Sequence, residues 1–406
     1  MAQSFDICIR GAGVVGRTLA LLLARERLNV ALVANTAPAP EAADVRAYAL
    51  NAASRTLLES LRSWPDAEHA TPVTHMRVQG DQDGEVHFDA AAQGVPALAW
   101  IVDVPALETR LQDAVRFQPQ VELVQAPVPA ALTVVCEGRA SRTRSELGAE
   151  FDIAPYPQHA IATRMACEKP HGQVARQWVS PDGSILAFLP LSGEGGSTVA
   201  VVWSVAPPLA AELLALEADA FAQRMQAASQ GALGTLTLAS ERATWPLQQA
   251  QARHWCGTLP ASPAAAWVLA GDAAHNVHPL TGQGLNLGLG DAQALAQVLG
   301  GQALVPVLTT DILRHSLPLQ GPLGQGLRAD LDVGTIESGG QAWAVREVEI
   351  ESCDPGWTAQ EAQQRVMAQA DEWIRRFGLW RDGRSKAERG ERLSALQELL
   401  YANGRA

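Results

Sequence analysis

Residues 5–33 constrain the fold more than any other part of the chain. Residues 5–10 alternate as a short strand, Gly11-Ala12-Gly13-Val14-Val15-Gly16 follows, and residues 18–25 make a helix rich in Leu and Ala. In a strand–G-x-G-x-x-G–helix context the first glycine permits the tight turn, the second lets backbone approach a pyrophosphate, and the third lets helix pack on strand. Residues 29–33 supply the second strand and close a βαβ unit of about the expected 30 residues. This predicts a Rossmann-like dinucleotide fold with Gly11, Gly13 and Gly16 at the phosphates. The unit ends unusually: where an Asp or Glu holds the adenosine ribose, this chain has Ala34-Asn35. Asn35 offers a hydrogen bond without charge, a weaker hold on the dinucleotide.

A second organised stretch lies at residues 267–299. An apolar strand (Trp267, Val268, Leu269, Ala270) breaks at Gly271-Asp272, and the loop Pro279-Leu280-Thr281-Gly282-Gln283-Gly284 leads into an amphipathic helix. The loop brings backbone N–H groups to a helix N-terminus, a place suited to an anion or an electron-rich heteroatom. Asp272, at the strand end, suits sugar-alcohol hydroxyls, from which a carboxylate accepts hydrogen bonds. His275 and His278 stand beside it at i and i+3, but no further ligand cluster joins them, and no metal is expected. His275 is better read as orienting the loop by hydrogen bonding, with proton transfer as the alternative.

Composition removes several classes. A chain of 406 residues with 47% hydrophobic content has room for two or more packed domains, and a net charge of −12 argues against nucleic acid. The five cysteines are scattered without Cys-x-x-Cys spacing, so neither a disulfide framework nor a zinc site is indicated. No apolar run reaches the roughly 18 residues that span a bilayer. A cytoplasmic protein, peripheral at most to the inner face of a membrane, fits these features.

The string Gly271-Asp272-Ala273-Ala274-His275-Asn276-Val277-His278-Pro279-Leu280-Thr281-Gly282-Gln283-Gly284-Leu285-Asn286 closely resembles the second FAD fingerprint of the class A flavin-dependent aromatic hydroxylases, and within them the ubiquinone-biosynthesis hydroxylases. The resemblance implies that Asp272 meets the ribityl chain and that Pro279, Gly282, Gln283, Gly284 and Asn286 surround the flavin. It implies a mobile flavin at Gly282-Gln283-Gly284. Two further segments carry it. Asp44-Val45-Arg46-Ala47-Tyr48-Ala49-Leu50-Asn51 resembles the part from which an Arg reaches the flavin or its pyrophosphate, which singles out Arg46; without a motif, an Arg is more often a solvated surface residue. Glu137-Gly138-Arg139-Ala140-Ser141-Arg142-Thr143-Arg144 resembles the family's Asp-Gly-x-x-Ser-x-x-Arg, which implies NAD(P)H or FAD contacts for Glu137, Gly138 and Arg144. Here Glu replaces Asp, longer by one methylene.

The expected architecture is α/β: a Rossmann-like FAD-binding domain of the glutathione-reductase type (residues 1–72, 100–156 and 245–300) with an inserted antiparallel-sheet substrate domain (73–99 and 157–244). Strands at 74–79 and 85–88 read as a hairpin, and 160–167, 172–179, 185–189 and 198–205 as an antiparallel sheet. Helices are expected at 53–61, 104–115, 209–216 and 220–228. The resemblance covers residues 5–300. Beyond them, 301–340 shows little period, 341–351 reads as a strand, and 359–377 and 388–401 as helices. Trp373, Ile374, Phe377, Leu379 and Trp380 lie among arginines, a pattern for a membrane surface, a partner or ordinary packing.

No Ser/His/Asp order, paired carboxylates or Cys-x4-Cys asserts chemistry of its own, so a bound flavin must carry it. The resemblance implies an FAD-dependent monooxygenase that uses NADPH or NADH and O2 to hydroxylate a phenolic ring. The strings at 45–51 and 279–286 point to a polyprenylated ubiquinone precursor, and so to a biosynthetic complex or membrane surface as partner. The alternatives are a class A hydroxylase of a small soluble phenol and a non-catalytic accessory flavoprotein.

Overall fold

The computed structural model describes residues 5–34, 45–81, 84–259, 262–278 and 282–300, and the backbone of 309–320, 326–338 and 341–353. Two compact units result, residues 1–301 and 302–406.

The first unit is built on a six-stranded sheet. β1 (Phe5–Arg10), β2 (Val30–Val33), β8 (Val121–Val124), β9 (Ala130–Val135) and β17 (Ser262–Leu269) run parallel, and β16 (Cys256–Leu259) pairs antiparallel with β17; the order is β16-β17-β9-β1-β2-β8. β1 and β2 are joined by α1 (Val14–Arg25), completing the expected βαβ unit. Helix α1 packs against α3 (Val104–Arg116) and α7 (Gly284–Leu299). Such a covered parallel sheet explains why β1 and β2 read as runs of Ile, Val and Leu: both faces are buried.

β3 (Ala47–Leu50), β7 (Ala99–Asp103) and β4 (Ala70–Val73) form a small antiparallel sheet in the order β3-β7-β4. α2 (Ala52–Ser60) follows β3, its N-terminus capped by Asn51. The third sheet has nine strands: β5 (His75–Gln79), β6 (Glu85–Asp89), β10 (Phe151–Cys167), β11 (Val174–Val179), β12 (Ile185–Leu191), β13 (Thr198–Val205), β14 (Leu236–Leu238), β15 (Ala243–Ala252) and β18 (His275–Asn276). The expected hairpin is β5–β6 and the expected strand run is β10–β13. The sheet is mixed, however, because β5 joins β11 in parallel. Sequence alternation marks a strand without marking its partner's direction, which here is set by the long connection between them.

One face of this sheet is covered by α5 (Pro207–Ala215) and α6 (Ala218–Ala228), which bury Ile161, Phe188, Val201 and Trp203 against Leu213 and Phe221. Alternation turns Ala162, Ala187, Val202 and Ser204 to the other face. On that face Ala200, Leu189 and Leu191 pack with Ala47 and Ala49 of the small sheet. β10 runs unbroken through position 156, where patterning puts the passage between domains, and is bulged between Pro155 and His159.

The second unit contains an antiparallel meander, β19 (Thr309–Gln320), β20 (Gly326–Ser338) and β21 (Gln341–Cys353). β21 matches the expected strand; β19 and β20 correct the reading of 301–340 as aperiodic. Leu327, Ala329, Leu331 and Val333 alternate with Arg328, Asp330 and Asp332, a period of two obscured by the surrounding Gly and Pro. The expected helices at 359–377 and 388–401, with the Trp373 cluster, lie outside the described residues.

Candidate FAD site

Three strand ends, of β1, β9 and β17, meet at the carboxyl edge of the parallel sheet, where open α/β sheets hold their ligands. At the first, Gly11 has φ +113, and a Cβ there would stand 2.4 Å from the Cys136 carbonyl oxygen. A Cβ on Gly16 would lie 1.9 Å from the Gly11 oxygen, so helix and turn touch only because residue 16 is glycine. Gly13 is different. Nothing lies within 4 Å of its absent Cβ, and it begins α1 without a side-chain cap. Open space before the bare N–H groups of a helix is the cradle a pyrophosphate requires.

Glu137 follows β9. Its carboxylate accepts from Ser141 Oγ (2.8 Å), Thr143 N (3.1 Å) and Thr143 Oγ1 (2.6 Å), and Arg10 Nε lies 3.3 Å away. Burial pushes its pKa up, but the bonds from Thr143 and Ser141 and the charge of Arg10 outweigh burial and hold it below the usual range. The acid anchors the start of α4 (Arg142–Glu146), and the extra methylene relative to the family's Asp does not cost it these bonds. Gly138 has φ +76, in the turn that closes with Ser141 N–H donating to its carbonyl. Arg144 is buried: it donates to the carbonyls of Ala273 (3.2 Å) and Arg139 (3.0 Å), and its guanidinium lies over Phe151. Expected as contacts for FAD or NAD(P)H, Glu137 and Arg144 are engaged inside the protein, where they brace the turn carrying Asp272.

That turn ends β17. Gly271 has φ +61, and Asp272 follows in a 3-10 turn, its side chain exposed. Desolvation by surrounding protein nevertheless raises its pKa, against the opposing pull of His275, Arg139, Arg46 and Asn276. Arg46, half-exposed, lies 3.8 Å from Glu108 and bears electrostatically on Asp272, so the structure brings these two expected residues to one region. β18 follows at once and pairs with β15, joining the turn to the nine-stranded sheet.

Gly282 has φ +63, and a Cβ there would sit 3.2 Å from that of Ala49. Gln283 is exposed at the N-cap of α7, which Gly284 opens without a side-chain cap. Asn286 is buried with every hydrogen-bonding position used: it donates to Ala49 O (2.9 Å) and Gly282 O (3.1 Å) and accepts from Asn51 N (3.0 Å) and Ser54 Oγ (2.7 Å). These bonds fix the loop's place against β3 and α2. Asn35 and Pro279 lie outside the described residues.

His275, expected to orient the Pro-Gly loop, bonds elsewhere: its Nε2 lies 2.7 Å from Asp291 Oδ2 of α7. Asp291 carried no signal, since an Asp within a helical pattern reads as a solvated residue. His278 packs edge-on against Tyr156 of β10, their ring centres 4.7 Å apart. Among the described residues no cluster of His, Cys, Asp and Glu has a metal-holding arrangement, and no helix is long and apolar enough to cross a membrane.

Residues 107–310 match the family described as FAD binding domain. The chain is 30% identical over 325 residues to the Escherichia coli protein named 3-demethoxyubiquinol 3-hydroxylase, with 73% of this chain and 80% of the relative covered. It is 29% identical to the protein of Rhodospirillum rubrum named ubiquinone hydroxylase UbiL, covering 72% of each. Among solved structures it resembles a probable FAD-dependent monooxygenase, PqsL, from Pseudomonas aeruginosa, with a TM-score of 0.61, 21% identity and coverage of 74% of this chain and 88% of that one. That last likeness is one of fold.

Proposed function

This chain belongs to the FAD-dependent aromatic-ring hydroxylases, and from that premise we propose that it hydroxylates the phenolic ring of a polyprenylated ubiquinone precursor with NADPH or NADH as reductant. The similarity to the 3-demethoxyubiquinol 3-hydroxylase, over four fifths of that protein, carries the reading. The sheet face lined by Ala162, Ala187 and Val202 supports it, an apolar floor that continues into the Ala49–Gly282 contact beside the Pro-Gly loop.

In this reading residues 1–72, 100–156 and 245–300 hold the cofactor, and 73–99 and 157–244 cover the substrate. The Gly13 cradle and the N-terminus of α1 bind the pyrophosphate, Asp272 accepts from the ribityl hydroxyls, and Arg46 offers its charge nearby. Gly282, Gln283 and Gly284 line the flavin edge. Bound FAD supplies hydride acceptance and oxygen activation, which no side chain of this protein provides. The chain's own contribution is to orient the ring, exclude water with the apolar floor and keep a carboxylate against the sugar alcohol. A prenylated substrate also places the enzyme at a membrane surface or in a biosynthetic complex.

The test is the visible spectrum of the purified protein, followed by anaerobic NADPH or NADH with and without a demethoxy-quinol analogue. Bound flavin that bleaches, then reoxidises in air with formation of a hydroxylated product, is expected. Turnover of small soluble phenols but not the prenylated analogue would move the substrate class. Flavin binding without oxidation of either nucleotide would reduce the protein to an accessory flavoprotein.

A further inference from the structure

One carboxylate oxygen behind the Asp272 turn does two jobs. Asp291 Oδ2, from the middle of α7, accepts from Gly271 N–H at 2.8 Å and lies 2.7 Å from His275 Nε2. Gly271 and His275 bracket Asp272, so a single atom on the helix grips both ends of the turn. Trp255, just before β16, stacks on the imidazole with ring centres 5.1 Å apart and planes 29° from parallel, closing its outer side. Asn276 Nδ2 donates to the Asp272 carbonyl at 3.1 Å.

We propose that Asp291 and His275 are positioning residues for Asp272: they form a clasp between α7 and the turn that sets where the Asp272 carboxylate stands.

The clasp depends on protonation. The groups facing His275 are Asp291 on α7, Asp272 within the turn, the Trp255 indole and, across the strand pair on β15, the uncharged Gln251. Arg139 and Arg46 act on Asp272 from its other sides. The bond to Asp291 raises the His275 pKa above its ordinary 6.5; burial opposes this, and the charges of Asp291 and Asp272 add to it. A raised histidine pKa means that the charge-assisted bond is fully present below the ordinary histidine value and is lost as pH rises through the folded one. The turn therefore loosens on the alkaline side.

This clasp needs no flavin to be seen, although its consequence rests on Asp272 being a cofactor contact. An imidazolium quenches a stacked indole more than neutral imidazole does, so Trp255 emission reports the state of His275. In the full-length apoprotein, the emission titration present in wild type and missing from W255F is expected to have its midpoint above 6.5. In D291N that midpoint falls by about one unit. FAD affinity at neutral pH falls about tenfold, the scale of a hydrogen bond to a charged group. An unmoved midpoint, or unchanged affinity in D291N, overturns the proposal. Should D291N fail to fold, H275Q decides: it should lack both the titration and the alkaline decline of FAD affinity, and a variant that keeps either refutes the clasp. A wild-type chain that takes up no FAD sinks the flavin reading, and the Trp255 midpoints then judge the clasp alone.

Discussion

Glu137 and Asp272 terminate neighbouring parallel strands, β9 and β17, yet they are opposite kinds of carboxylate. Glu137 accepts from Ser141 and Thr143 through both oxygens and pairs with the charge of Arg10, and its pKa is lowered despite burial. Asp272 is exposed, and surrounding protein raises its pKa. Arg144 links the two by donating to Ala273 from beside the Glu137 cap. A saturated acid builds the wall, and the exposed acid is the one that the proposed function assigns to the ribityl chain.

The comparison breaks first at Glu137. Replacing it by Ala removes the anchor of α4 and leaves the partly buried Arg10 only the longer, exposed pair with Glu146, which should cost about 3 kcal/mol of stability in denaturant unfolding of the apoprotein. FAD affinity of the molecules that remain folded should change by less than about threefold, since the side chain contacts no ligand in this reading. A thirtyfold loss of FAD with intact stability would show that the resemblance, and not the hydrogen-bond geometry, describes this residue. The next test is Asp272→Ala, expected to weaken FAD binding about thirtyfold, or about 2 kcal/mol, with no loss of apoprotein stability. Flavin fluorescence quenching measures the first and a thermal melt the second.

How much of this was legible in the chain differs between backbone and side chain. Gly11, Gly13 and Gly16 announced their turn because a glycine pattern records constraints within a few residues, and Gly271-Asp272 announced a strand end for the same reason. Asn286 stands out within the loop pattern, but its partners in the protein do not: its bond to Ser54 spans 232 positions, and no local spacing encodes it. Asp291 gives no local sign in the sequence, because its partners meet it only once α7 is laid against the turn. The meander shows the opposite failure, where the period of two in 327–333 was present and the glycines and prolines around it dominated the reading.

The smallest effect separates the two acids by sign. Glu137, with its pKa below the ordinary 4.5, contributes stability that is present above that value and lost as pH falls through the folded one. For Asp272, raised above 3.8, ionisation in the folded state is penalised, so stability is lost as pH rises through the folded value. Asp272→Asn cannot ionise and escapes that penalty. The apoprotein of this variant should therefore melt slightly higher than wild type at pH 7.5, by less than about 1 kcal/mol for so exposed a group, and the gap should narrow as pH falls through the folded Asp272 value toward the ordinary 3.8. A gap that is constant with pH would mean that Asn acts through packing. A variant less stable than wild type at pH 7.5 would mean that Asp272 is satisfied within the protein as Glu137 is, and the contrast between the two strand ends would fail.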